Sequence, residues 1–211
     1  MPIEPVAIKP NTEDMREHLV HLFGGDLGKF GGGLIEIAHT TLGAGGKPVP
    51  RQARLYDLDQ IDAAVGQAFL MSSRGNNVYV GAQLRVPGTP LSARASDKHA
   101  LCLTSAYIDL DDEPSARGAK LMWGETRPSL IVVTGREPGL RAQMWWRLDE
   151  PSDDQERNLR LLATMASKFG GDPSVASRGR LMRLAGSIAH PDPTKQGRVK
   201  EMTYIHRGAI L

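Results

Sequence analysis

Apolar residues recur every three to four positions near the N-terminus, where Met15, Leu19, Leu22 and Phe23 fall on one stripe and Asn11 or Thr12 stands where an N-cap belongs. That spacing predicts a helix over 11–23. A second stripe, Ile61, Val65, Ala68 and Phe69, predicts a helix over 58–71. The strongest helical pattern runs from Asp153 to Phe169, with Leu159, Leu162, Ala163, Ala166 and Phe169 on its apolar face, Ser152 and Gln155 as a capping box, and Gly170-Gly171 as its stop. Between these helices the pattern changes to short apolar or alternating runs, which predict strands over 34–41, 77–84, 101–111, 129–134 and 142–148. Residues 85–98 carry Pro, Gly, Ser and Thr without periodicity and read as a mobile loop; a short helical or irregular piece follows the third strand as far as Trp123. Strands and helices mix without regular βαβ alternation. The expected class is therefore α+β, with one domain over residues 1–211.

Composition narrows the setting. No apolar run among the 211 residues approaches the roughly 18 needed to span a bilayer. The start, Met-Pro-Ile-Glu-Pro-Val, lacks the basic and apolar regions of a signal peptide. A single cysteine, Cys102, excludes an internal disulfide framework and a cysteine-based zinc site. A cytoplasmic protein without a membrane partner is expected. The net charge is only +2, but it is unevenly spread. Acidic residues concentrate at 109–113 and 149–156, whereas between 178 and 207 Arg178, Arg180, Arg183, Lys195, Arg198, Lys200 and Arg207 face only Asp192 and Glu201. A basic third on a near-neutral chain fits a polyanionic partner, a nucleic acid or a nucleoside triphosphate, and equally a solvated surface.

The glycine-rich stretch 24–33 lacks the Gly-Lys-Ser/Thr ending of a phosphate-binding loop and precedes a strand, so it reads as a tight turn. The more informative chemistry lies in Tyr107-Ile-Asp-Leu-Asp-Asp112. Side chains alternate along a strand, so Asp109 and Asp111 share one face while Ile108 and Leu110 take the other. Two carboxylates on one rigid face repel, and a divalent cation with oxygen ligands relieves that repulsion. A strand running into a solvated acidic turn would give the same pattern. Asp172, directly after the Gly-Gly stop, is a third carboxylate that a short loop could aim at another element.

Taken in order, Asp109-x-Asp111, the Thr134-Gly135 loop leading to Gln143-Met-Trp145-Trp146-Arg-Leu148, Asp172, and Arg183-Leu-Ala-Gly186 resemble the motifs of the archaeo-eukaryotic primase/primase-polymerase superfamily, in particular its RepB-like plasmid and phage primases. The resemblance covers roughly residues 75–200. It implies an RRM-like mixed or antiparallel sheet flanked by helices, and synthesis of short primers on single-stranded DNA from nucleoside triphosphates. Asp109, Asp111 and Asp172 would be the catalytic ligands of Mg²⁺ or Mn²⁺, two ions about 4 Å apart flanking an in-line displacement. Thr134, Gly135, Arg141, Gln143, Arg178, Arg183, His190 and Lys195 are the candidates for contact with triphosphate or template phosphate. Arg74, Arg85 and Trp145 are the candidates for contact with nucleic acid, and a replicative helicase is a candidate partner. Two departures stand out: Gln143 occupies a position where many members carry histidine, and Ala185 replaces a proline. Glutamine can donate a hydrogen bond to a phosphate oxygen but carries no charge. A silent single-strand or origin-binding module and a metal-dependent nuclease are the rival readings.

Overall fold

The computed structural model describes residues 8–42, 48–90, 95–112, 115–117, 126–192 and 194–208. The chain opens with α1 (Thr12–Phe23), followed by β1 (Ile35–Leu42), β2 (Pro48–Tyr56), α2 (Ile61–Ser73), β3 (Val78–Gly81) and β4 (Leu103–Leu110). Then come β5 (Leu130–Gly135), β6 (Arg141–Ser152), α3 (Gln155–Phe169) and β7 (Leu181–Arg183). Three short strands close it: β8 (Ile188–Ala189), β9 (Glu201–Met202) and β10 (Tyr204–Ile205), with β8 and β9 paired to each other. The larger strands divide between two antiparallel sheets, ordered β2-β1-β3-β7 and β10-β5-β6-β4. This is the α+β architecture that the mixed periodicities predict.

The sheets share one contiguous core. Met15, Leu19, Leu22 and Phe23 of α1 pack with Ile35 and Ile37 of β1, Ala64 and Ala68 of α2, and Tyr107 and Trp145 of the second sheet. Arg147 on β6 fixes the end of α1, its guanidinium donating to the carbonyls of His21 (2.9 Å), Leu22 and Gly24 (3.0 Å), which are among the acceptors a helix C-terminus leaves open. On the opposite face of the second sheet, α3 buries Leu162, Ala166 and Phe169, and Trp146 stacks on Phe169 with ring centroids 5.2 Å apart. Among the described residues no helix is long and apolar enough to cross a membrane.

Several sequence expectations are corrected. Strand β2 has no counterpart in the sequence reading. It is an edge strand, where Pro48 and Pro50 need donate nothing to a ladder. Asp154 caps α3, its side chain accepting from the Arg157 N–H (2.9 Å), while Ser152 closes β6. Phe69 is largely exposed, and so is Ala163, so the apolar stripes of α2 and α3 are narrower than drawn. The segment from Arg85 is anchored rather than loose at its start: Leu34, Arg85 and Ala100 form isolated bridges. Most of the piece read as helical or irregular up to Trp123 lies outside the described residues.

Candidate functional site

Register across the second sheet builds the site row by row. Asp109 pairs with Gln143, which pairs with Val132; Tyr107 pairs with Trp145, which pairs with Leu130. Because alternate residues share a face, Tyr107, Asp109 and, one step beyond the strand, Asp111 project on the same side as Trp145, Gln143 and Arg141. The inner rows are sealed by α1, whose His18 meets the Trp145 ring edge-on. The outer rows open into a cleft of about 210 Å³ lined by Asp109, Asp111, Thr134, Arg141 and Gln143 from this sheet and by Asn77, Tyr79, Arg180, Arg183 and His190 from the other side. Asp192 and Arg198 complete its rim.

Of the three carboxylates, Asp109 is the one that feels its acidic neighbours. Burial, then the neighbouring Asp111, and to a lesser degree Asp172, push the Asp109 carboxyl up to about 6, against the pull of Arg180 and Arg183. Asp109 faces the Arg180 guanidinium at 3.7 Å, and Asp111 faces that of Arg198 at 3.4 Å. Asp172 reaches this pair through the backbone: its N–H donates to the Asp109 carbonyl (2.9 Å). Its carboxylate accepts from the Ser174 N–H (2.8 Å) and hydroxyl (2.6 Å), and these bonds hold its pKa below the usual carboxylate range. Among the described residues no group of three or more His, Cys, Asp or Glu side chains is gathered closely enough to hold a metal ion. Each of Asp109 and Asp111 faces an arginine, Arg180 and Arg198, instead. The donor set still suits a hard divalent cation, because Asp109 and Asp111 carry like charges whose crowding a cation would relieve.

A family model, that of the RepB DNA-primase N-terminal domain, matches residues 47–188, about two thirds of the chain, and includes Asp109, Asp111, Gln143, Arg180 and Arg183 of this cleft. The chain belongs to the RepB primase family. Among solved structures, the AEP domain of the cyanophage S-2L primase-polymerase (PrimPol) superposes with a TM-score of 0.62 at 19% identity, covering 95% of this chain and 91% of that one. Primase RepB′ superposes with a TM-score of 0.56 at 18% identity over 92% of this chain, which spans 56% of that protein. No curated protein sequence matches.

The remaining motif residues of this RepB-family chain have readable physical roles. A Cβ at Gly135 would sit 1.8 Å from the Arg141 guanidinium, so a side chain there would push Arg141 off its contact with Glu201. Arg141 in turn donates to the carbonyls of Glu137 (2.6 Å) and Gly139 (3.1 Å) and pairs with Glu201 (3.1 Å), holding the loop shut while lining the cleft. Gly186 has φ +75°, and a Cβ there would lie 2.1 Å from the Asn11 carbonyl. The Arg-Leu-Ala-Gly segment therefore docks against the start of α1, where the Ala185 N–H donates to His18 Nδ1 (3.1 Å). His190 is held by Asn77, whose carboxamide bonds its N–H (2.8 Å) and carbonyl (3.0 Å), and its Nε2 is buried without a partner. Burial, then Lys200 and Arg183, lower its pKa, so at neutral pH it is an uncharged ring.

Other expected residues lie elsewhere. Arg85 is fully buried in an ion pair with Glu36 (2.7 Å) and donates to the Arg178 carbonyl (3.0 Å), so it cannot reach a nucleic-acid backbone. Trp145 is likewise fully buried between His18 and Tyr107 and offers no face for a base. Arg178 pairs with Glu156 of α3 (2.5 Å) rather than facing the cleft. Lys195 lines an adjoining basin with Asp111 and Arg198, and Arg74 stands exposed just beyond α2, away from the cleft. The sequence reading missed Asn77, Tyr79, Arg180 and Arg198 as site residues.

Proposed function

We propose that this chain is a primase-polymerase that makes short primers on single-stranded DNA by metal-dependent nucleotidyl transfer from nucleoside triphosphates. The observation that carries this reading is the pairing of Asp109 and Asp111, on one face of β4, with a ring of Arg180, Arg183 and Arg198 in one cleft of a RepB-family fold. Asp109 and Asp111, with Asp172 beside them, would hold Mg²⁺ or Mn²⁺, which supplies charge neutralisation at the attacking and leaving oxygens. Phosphoryl transfer asks little covalent chemistry of the protein and much positioning. Here the arginines would exchange their carboxylate partners for the triphosphate, and the neutral His190 would direct Nε2 at a phosphate oxygen. Asn77 keeps that ring fixed by bonding both of its backbone groups.

A primer-synthesis assay on single-stranded DNA, with triphosphates and Mg²⁺ or Mn²⁺, tests the proposal. Asp109→Ala and Asp111→Ala should each abolish product; an active double variant sinks it. A second reading, DNA binding without catalysis, draws on the fact that both carboxylates already face guanidiniums. It expects single-strand binding that falls steeply with salt and no product with either metal. Fragments of the template, in place of extended primers, would identify a nuclease.

A further inference from the structure

Strand β7 is the edge of its sheet, and one face of that edge is closed by a side chain from the other sheet. The Leu184 N–H donates to the Val78 carbonyl (3.2 Å), and Arg183 is the next residue along, opposite Tyr79. Hydrogen-bonded and non-bonded pairs alternate in an antiparallel ladder, so the N–H and C=O of Arg183 point away from β3. What they meet is the carboxamide of Gln143, which comes from a central strand of the second sheet. In the orientation dictated by its neighbours, Gln143 Oε1 accepts from the Arg183 N–H (3.1 Å) and Nε2 donates to the Arg183 carbonyl (3.2 Å). One side chain thus does what a neighbouring strand would do. It is nearly buried, at 4% exposure, where an unpaired backbone amide would be costly.

The residue so held is central to the cleft. The Arg183 guanidinium lies over the Tyr79 ring, 4.9 Å from its centroid, and donates to Asn77 Oδ1 (2.6 Å), the same oxygen that accepts from the His190 N–H. We infer that Gln143 is a positioning residue: it clamps edge strand β7 across the gap between the sheets and so fixes Arg183, and through Asn77 His190, beside Asp109. A carboxamide presents an acceptor and a donor side by side, which matches the N–H and C=O of one residue. The two nitrogens of an imidazole point apart and cannot make both bonds. Glutamine at 143 is then a commitment to the clamp, and its acceptor oxygen and one N–H are already spent. The kinetic consequence rests on the proposed nucleotide site; the clamp itself does not.

Two measurements test the inference. In nucleotide-free protein, Gln143→Leu, an apolar replacement of similar volume, should speed hydrogen exchange of the Arg183 amide by at least about tenfold. Unchanged exchange at Arg183 overturns the clamp. In primer synthesis, Gln143→Leu should raise KM for the triphosphate on the order of tenfold, and Gln143→Leu combined with Arg183→Met should be no worse than Arg183→Met alone. Factors that multiply mean direct contact between Gln143 and the nucleotide and overturn the positioning role. Gln143→His, which would add a phosphate ligand if position 143 served as one, should also raise KM; a lower KM overturns the inference. A wild-type protein that binds no triphosphate removes the proposed function and the positioning role with it, while the exchange result still decides the clamp.

Discussion

Replacing Asp109 by Asn should stabilise the metal-free protein while destroying its function. The Asp109 carboxyl titrates near 6 in the folded chain against 3.8 as a free side chain, because burial and then Asp111 disfavour its charge. At about 1.4 kcal/mol per tenfold change in an equilibrium constant, that displacement corresponds to roughly 3 kcal/mol. The sign follows from proton binding. Between pH 4 and 6 the folded state holds a proton that the unfolded state has released, so folding is favoured by acid through this group. The cost of the charge is therefore fully present above about pH 6 and absent below about 4. Asn keeps the shape and removes the charge, giving up only the long 3.7 Å contact with Arg180. In chelator at pH 8, Asp109→Asn should be more stable than wild type by about 1–3 kcal/mol in urea denaturation, a rise in Tm of several degrees for a chain of this size. At pH 4 the two proteins should coincide. A variant less stable at pH 8, or a gap that does not close in acid, would refute the electrostatic account of the site.

Two further consequences concern the core. Burial, then His21, push His18 down to about 3, so the folded protein refuses a proton that the unfolded chain accepts below about 6.5. Stability from this group is complete above 6.5 and falls as pH drops toward 3, and its ring resonances in an NMR titration should stay flat through pH 5. For the buried pair, Arg85→Met should cost about 3–5 kcal/mol in urea denaturation by leaving Glu36 charged and unpaired. Adding Glu36→Leu should recover most of that loss, and a mild effect of Arg85→Met alone would argue that Arg85 does not hold the interior together.

What could be read from the chain beforehand follows from the range of each interaction. Helices α1 and α3 are announced locally, by stripes and stops within their own span, and β4 shows its two-residue period together with its acidic pair. The same local reading could not see that β2 exists, because what makes it a strand is its pairing with β1, a separate segment, and its prolines suggest a loop until the strand is known to be at an edge. Nor could it separate the arginines. Arg85 directly follows the strand expected over 77–84, yet Glu36, 49 positions away, draws it fully into the interior. Trp145 shares a face with Gln143 but lies one row deeper, under His18 from α1, and that row decides between core and contact surface.

The cleft follows the same division. Strand parity alone places Asp109 and Asp111 on one face, and it places Gln143 and Arg141 there with them, since the register pairs Asp109 with Gln143. Parity cannot say what approaches that face from outside the sheet. The answer comes from β7, three residues long, whose hydrogen bonds to β3 leave Arg183 turned toward Gln143. A strand so short has little pairing of its own to hold it, so its position depends on contacts at both edges. The loop that follows is pinned by the positive φ of Gly186 and by the Ala185 N–H bonded to His18. The Arg-Leu-Ala-Gly segment is therefore a pinned junction between the sheets that presents one arginine to the cleft. Its arginine faces the cleft because three distant side chains, Gln143, Asn77 and Tyr79, hold it there.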